Sequence, residues 1–239
     1  MSNTDIDTIV VIPTYCEREN ISLIIEAVLV SPDVHVMVVD DESPDGTGQL
    51  VDDMSEKNPR ISVIHRKDAP RGLGCAYRDG FEKAIEMGAR FIIQMDADFS
   101  HDPSDIVRLR SAAEKADLVI GSRYVPGGST PGWSMTRRFI STCGSFYARK
   151  VLGMGVRDLT GGFKCWRADA LMRCNPQNAH SKGFAFQIEM NFRAAKAGLR
   201  IEEIPIRFVD RTRGESKMSA KIFMEGMVAV WKIRLGSHE

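Results

Sequence analysis

The chain has 239 residues, 43% of them hydrophobic, enough to bury one large α/β core or a domain with an appendage. Lysine plus arginine and aspartate plus glutamate number 32 each, so no basic excess points to nucleic acid and charge must act locally. The five cysteines are odd in number and lack a C-x-x-C pair, which predicts reduced thiols in a cytosolic protein. Met1 to Asp7 is polar, giving no expectation of a secretory signal. The apolar stretch from Met218 to Leu235 is broken by Lys221, Glu225, Lys232 and Arg234, so a membrane-spanning helix is not expected there.

Thr8 to Ile12 predicts a short buried strand that runs through Pro13-Thr14-Tyr15-Cys16-Glu17 into a helix with Ile21, Ile24, Ile25 and Val28 on one stripe. That first turn has no glycine, which argues against a dinucleotide-binding oxidoreductase, whose G-x-G-x-x-G belongs there. Val34 to Val39 predicts a second strand ending in the acidic loop Asp40 to Gly48, which either holds a base or ribose or simply starts a helix. Ile61 to His65 is a third strand, followed by a helix from the Gly72-Leu73-Gly74 turn through Ile85. Its glycines serve either a ligand or close helix packing.

Phe91 to Met95 predicts a fourth strand that stops at Asp96-Ala97-Asp98, a helix runs from Pro103 to Glu114, and Ala116 to Ile120 is a fifth strand. Asp102 is read as the helix cap, Pro103 as its first residue and His101 as a loop or cap residue. Two alternate carboxylates at a strand's carboxyl end suit a hard divalent cation shared with phosphate oxygens. Strands alternating with helices imply a mostly parallel sheet covered on both faces.

Val125 to Trp133, with Gly127, Gly128, Pro126 and Pro131, is a long loop of functional or mobile character. Arg137-Arg138 opens a helix with Phe139, Ile140, Cys143, Phe146, Tyr147 and Val151 on one broad face. Paired arginines at a helix start oppose the dipole, so they either face an anion or carboxylate or sit in solvent. Asp158 to Lys164 is a turn into a short strand. Phe184 to Ala195 is a helix expected to bury Phe184, Ile188, Phe192 and Ala195, with Glu189 on another face as an acceptor-side carboxylate or a salt bridge. Ile201 to Phe208 reads as an edge strand because Pro205 cannot donate to a ladder. The basic loop Asp210 to Lys217 precedes a terminal amphipathic helix with Ile222, Phe223, Met227, Val230 and Trp231 as its stripe.

The blocks VVIPTYCERENI, VVDDESPDGTG, GLGCAYRDGF, MDADFSHDP, GSRYVPGG, DLTGGFKCW and FVDRTRGESKMS follow one another along nearly the whole chain. Together they resemble family 2 glycosyltransferases of the GT-A fold, most closely those that make dolichyl- or polyprenyl-phosphate mannose. The resemblance implies an α/β, Rossmann-like catalytic domain over residues 1–217, its nucleotide-binding part about 8–124 and its acceptor side about 125–217, with the amphipathic helix and tail in 218–239. It implies inverting transfer of mannose from GDP-mannose to a dolichyl or polyprenyl monophosphate with Mg2+ or Mn2+. Pro13, Tyr15, Glu17, Val38 and Asp40 would border the base and ribose, while Asp96, Ala97 and Asp98 hold metal and diphosphate. Arg123, Arg211 and Lys217 would close on the phosphates, with Asp98 and Arg123 as the catalytic groups. Arg137 and Ser141, one helical turn apart, are the candidates for the acceptor phosphate.

Two positions depart from the family pattern: Cys16 stands where Asn is usual and Glu42 where Gly is usual. The membrane-spanning tail of some relatives is not in this sequence. The expected form works at the cytoplasmic face of a membrane, alone or with a small anchoring subunit. That membrane would be the endoplasmic reticulum in a eukaryote or the plasma membrane in a prokaryote. Rival readings are a UDP-sugar-dependent hexosyltransferase of the same fold and, more distantly, a non-catalytic sugar-nucleotide-binding protein.

Overall fold

A computed structural model describes residues 6–67, 69–181, 183–210 and 220–236, without the side chains of Phe184 and of residues 220–225. Seven strands form one sheet: β1 (Thr8–Thr14), β2 (Val34–Asp40), β3 (Ile61–His65), β4 (Phe91–Gln94), β5 (Leu118–Ser122), β6 (Lys164–Arg167) and β7 (Ile201–Pro205). Their order is β3-β2-β1-β4-β6-β5-β7, parallel throughout except for β6, which is antiparallel to both neighbours. β7 lies at the edge, where Pro205 needs no ladder partner for a missing N–H.

The helices are α1 (Arg18–Leu29), α2 (Thr47–Ser55), α3 (Leu73–Glu86), α4 (Asp105–Ala113), α5 (Met135–Leu152), α6 (Ala168–Arg173), α7 (Phe184–Lys196) and α8 (Ala220–Leu235). Strands flanked by helices on both faces must be apolar on both, and alternation along β1 shows it. Ile9 and Val11 pack with Tyr77 and Phe81 of α3, while Val10 and Ile12 pack with Ile21, Ile24 and Ile25 of α1.

The glycines of the third strand-to-helix turn serve packing. A Cβ on Gly74 would come within 2.9 Å of the Phe186 ring and the Ser181 carbonyl. A Cβ on Gly80 would collide with Val11 of β1, so α3 lies close to both α7 and the sheet because these residues have no side chain.

Two apolar expectations are corrected. α7 buries Phe186, Ile188, Met190, Phe192 and Ala194, whereas Ala195 is exposed in the last turn; the middle of the helix is enclosed on several sides, and the side chain of Phe184 lies outside the described residues. The broad face of α5 is core only in part. The helix buries Ser145, Ala148 and Leu152 and packs Tyr147 and Val151 half-buried against the core, leaving Phe139 69% and Phe146 57% exposed along with Ile140 and Cys143. The volume behind α5 is filled by α8, whose Val230 and Ile233 are buried and whose Trp231 is half exposed.

Candidate active site

A cavity of about 340 Å³ opens where the chain's path through the sheet reverses, outside the carboxyl ends of β1 and β4. In open α/β sheets that crevice is where backbone and loop groups diverge enough to admit a ligand. From β1 come Pro13, Tyr15 and Glu17; from β4 come Asp96, Ala97, Asp98 and His101; from the second half come Arg123, Trp133, Arg137, Thr160, Gly162, Gln187 and Phe208.

The first two loops are laced together. Cys16 N donates to Ser43 Oγ at 3.0 Å, Glu17 N to Thr47 Oγ1 at 3.0 Å and Arg18 N to Asp45 Oδ2 at 3.2 Å. The acidic loop's carboxylates are thereby committed to protein groups. Asp40 is buried and accepts from Thr14 Oγ1 and Ser43, and Asp41 is bonded to Arg66 and to Gly72 N. Asp45 caps the start of α2 through Thr47 N at 3.0 Å, which favours the helix-start reading of this loop. Val38 is fully buried in the core beneath α1, so its side chain does not reach the cavity; nor does Asp40 line it. Cys16 and Glu42 have φ of 61° and 57°, the left-handed region that Asn and Gly tolerate best. The two departures from the family pattern therefore fall where backbone geometry makes the usual residues favourable.

At the Asp96 loop the backbone is also strained, with Phe99 at φ 59°. Asp98 Oδ1 accepts from Ser100 N at 3.1 Å, fixing one oxygen, and the Asp96 side chain is about a third exposed. His101 is not a helix cap. Its ring is buried, stacks on Phe163 at 4.8 Å, and accepts from Asp96 N through Nδ1 at 3.1 Å. Burial keeps His101 neutral against the raising effect of Asp96 and Asp98. Asp102 Oδ1 accepts from Ser104 N at 2.9 Å and caps the turn leading into α4.

Arg123, at the end of β5, is buried and donates Nε to Asp158 Oδ2 and Nη2 to Asp158 Oδ1, both at 2.7 Å, and Nη2 again to Thr160 Oγ1. Its guanidinium also stands over the rings of Tyr124, Trp133 and Phe208 at 5.2–5.5 Å. Burial alone would lower its pKa, but the Asp158 carboxylate outweighs burial and holds the charge firmly in place. In the sequence, the signal at Asp158 is its place in the DLTGGFKCW block. Arg137 donates Nη1 to Asp210 Oδ2 at 2.6 Å and lies 4.2 Å over Trp133, so one arginine of the pair finds the carboxylate its position needs. α5 itself begins two residues earlier, capped by Ser134.

Ser141 is on the next turn, tied to Tyr124 Oη at 2.6 Å, and does not line the cavity. Glu189 is structural, accepting from Ser181 N at 2.8 Å and Arg193 Nε at 2.9 Å. Arg211 and Lys217 lie outside the described residues.

A sheet wound in both directions from one crevice, lined by a carboxylate pair and fixed arginines, defines an α/β protein that takes an anionic nucleotide-type ligand. Residues 9–174 match the family described as Glycosyl transferase family 2. The chain belongs to glycosyl transferase family 2, and its fold is GT-A. It is 44% identical over 232 residues to "Polyprenol monophosphomannose synthase" of Mycolicibacterium smegmatis, covering 95% of this chain and 87% of that one. It is 46% identical over 224 residues to "Undecaprenyl-phosphate mannosyltransferase" of Micrococcus luteus, covering 92% and 90%.

Among solved structures, glucosyl-3-phosphoglycerate synthase from Mycobacterium tuberculosis, in complex with Mn2+ and UDP, superposes with a TM-score of 0.68 at 17% identity, covering 98% of this chain and 81% of that one. A mannosyltransferase from Pyrobaculum calidifontis in complex with GDP-Man and Mn2+ gives 0.65 at 15%, covering 98% and 65%.

Proposed function

We propose that this enzyme transfers mannose from GDP-mannose to a polyprenyl or dolichyl monophosphate, with inversion at the anomeric carbon. The observation that carries the reading is the convergence of the β1, Asp96-Ala97-Asp98 and Arg123 elements on one cavity in a chain 44–46% identical to two polyprenyl-phosphate mannose-forming relatives. An oxygen of the lipid phosphate forms the new bond to the anomeric carbon, and the bond to the diphosphate breaks with its electron pair leaving on GDP. A phosphate monoester, with a second pKa of about 6, is largely ionised at neutral pH and needs no protein base.

Asp96 and Asp98 fit a hard cation: one oxygen of Asp98 is held by Ser100, and Asp96 is open to the cavity. Mg2+ or Mn2+ bound there would supply charge stabilisation for the departing diphosphate. Arg123 brings a buried, pre-oriented positive charge to the cavity, and such a group stabilises developing charge without reorganising. On this proposal Pro13, Tyr15 and Glu17, which line the cavity, border the nucleotide and Arg137 the acceptor phosphate, with Arg211 and Lys217 closing on the diphosphate. In this reading residues 8–124 carry the nucleotide and 125–217 the acceptor.

The membrane association we propose uses the outward face of α5. Met135, Phe139, Ile140 and Phe146 are exposed beside Arg138 and Lys150, and the helix has no acidic residue, which suits the anionic surface of a bilayer. Among the described residues no helix is long and apolar enough to cross a membrane. The deciding experiment incubates the protein with GDP-mannose or UDP-glucose and a short polyprenyl phosphate, with and without chelator. Lipid-linked mannose from GDP-mannose, lost in Asp96→Ala and Asp98→Ala by more than about 100-fold, is the expected result. Transfer from UDP-glucose alone, or full activity of both variants in chelator, overturns the proposal.

A further inference from the structure

Trp166, Gln94, Gln187 and Lys164 form a hydrogen-bonded relay behind the cavity, each at most 1% exposed. Chemistry fixes its direction. An indole N–H only donates, and Trp166 Nε1 gives its hydrogen to Gln94 Oε1 at 2.8 Å. With that oxygen taken, Gln94 turns Nε2 toward Gln187 Oε1 at 3.3 Å, and Lys164 Nζ donates to the same oxygen at 2.7 Å. Lys164 Nζ also holds the Gln187 main-chain carbonyl at 3.1 Å. Gln187 Oε1 therefore receives two donors, and its Nε2 must face away from them.

That nitrogen is buried, has no hydrogen-bond partner among the described residues, and belongs to a side chain that lines the cavity. A buried amide donor without a partner is costly, so the fold keeps one for a partner that arrives with a ligand. Gly162 marks where that partner sits. A Cβ at Gly162 would stand 3.6 Å from Gln187 Nε2 and 3.5 Å from Asp96 Oδ2. The amide and the carboxylate thus flank the same side of Gly162, together with the His101 ring at 3.5 Å, on the lining of the cavity.

We infer that Gln187 is a specificity-determining residue, donating from Nε2 to a hydroxyl of the sugar carried by the nucleotide donor, with Lys164, Gln94 and Trp166 as positioning residues. The inference rests on the nucleotide-sugar reading above. A hydroxyl can accept from the amide and donate to a carboxylate at once, which no phosphate oxygen can do. Anionic oxygens are served instead by Arg123 and Arg137. In a nucleotide sugar the hexose is the group attached directly to the diphosphate, so it falls next to Asp96. The Lys164 donor on Oε1 polarises the amide and strengthens the bond its N–H makes.

The test uses the full chain and compares binding of GDP, binding of GDP-mannose, and transfer, for wild type, Gln187→Met, Lys164→Met and Gly162→Ala. A methyl at Gly162 meets its neighbours at ordinary contact distances of 3.5–3.6 Å, so that variant keeps the fold while filling the space between them. Gln187→Met and Gly162→Ala should each lose about 10- to 100-fold in kcat/KM and weaken GDP-mannose while leaving GDP affinity within about two-fold. Lys164→Met should show the same selectivity, with a smaller loss. GDP-mannose analogues lacking one hydroxyl each should single out one position, and Gln187→Met should become indifferent to that position.

Equal weakening of GDP and GDP-mannose, or a change confined to the KM of the lipid phosphate, overturns the assignment. If Gln187→Met does not fold, Gly162→Ala and the wild-type analogue series decide, and equal tolerance of every analogue overturns it. A wild type that transfers nothing from GDP-mannose overturns the donor reading instead, and an active wild type beside an unaffected Gln187→Met overturns this inference alone.

Discussion

Glu42 holds a φ of 57° with an ordinary side chain, and its compensation is an exposed contact to Arg71 at 3.5 Å. Such a surface pair contributes little, whereas the left-handed conformation costs a non-glycine residue about 1–2 kcal/mol. Glu42→Gly should therefore raise stability by about 1 kcal/mol, read as a shift in the urea midpoint at constant slope. Lys164 titrates unusually: burial lowers its pKa from 10.5 to about 7, with Asp158 acting weakly the other way. Between those two values the unfolded chain binds a proton that the folded chain does not, so stability rises with pH across that window. Below pH 7 the cost of burying the ammonium is fully present. The stability of wild type relative to Lys164→Met should increase from pH 6 to pH 10 in denaturant titrations, and a flat difference would contradict the buried, weakly basic amine.

α5 carries apolar residues on two sides. Ala148 and Leu152 are buried and Tyr147 and Val151 pack on the core, whereas Met135, Phe139, Ile140 and Phe146 face out, which no monomeric packing rewards. Phe139→Glu combined with Phe146→Glu should abolish sedimentation with vesicles containing anionic lipid. It should leave transfer to a water-soluble, short-chain polyprenyl phosphate within about three-fold, because neither side chain touches the cavity. Loss of both activities together would mean that the face supports the fold. α8 covers the opposite side of α5: Val230 and Ile233 are buried there, and Tyr147 Oη reaches the Met227 carbonyl at 3.4 Å. The interfacial role expected for the terminal helix is thus better met by its neighbour.

At the scale of the whole molecule, Arg123 and Asp158 join the end of β5 to the loop before β6, 35 positions apart, at the wall of the cavity. Removing one partner leaves the other charge buried. Arg123→Met should cost about 3–5 kcal/mol in denaturant unfolding, far more than loss of an exposed pair. The Asp158 carboxyl is pulled below its ordinary range: burial would raise it, but Arg123 and its hydrogen bonds outweigh that. Its stabilisation is present above the unfolded pKa of 3.8 and is lost as pH falls through the lower folded value. The acid limb of wild-type stability should accordingly flatten in Arg123→Met.

Strand positions, the mostly parallel sheet and the crevice at its carboxyl edge were legible in the sequence because each rests on local signals. Runs such as Ile9 to Ile12 and Phe91 to Ile93 are short, rich in β-branched and aromatic residues and bounded by turn formers, which favours buried strands, and the Asp-x-Asp that follows one of them marks the carboxyl edge of the sheet. The seven ordered blocks supplied the family. Tertiary structure alone decided which polar groups are spoken for. Asp40, Asp41 and Glu189 are acidic residues that could be ligands in sequence, yet protein groups consume them: Thr14 and Ser43 for Asp40, Arg66 and Gly72 N for Asp41, Ser181 N and Arg193 for Glu189. Asp158 and Gln187 look ordinary, yet folding brings each to the cavity or to the arginine that lines it. The outward face of α5 was hidden for the same reason. Hydrophobic periodicity identifies a stripe, but whether a sheet, another helix or an external surface covers it depends on where the rest of the chain packs.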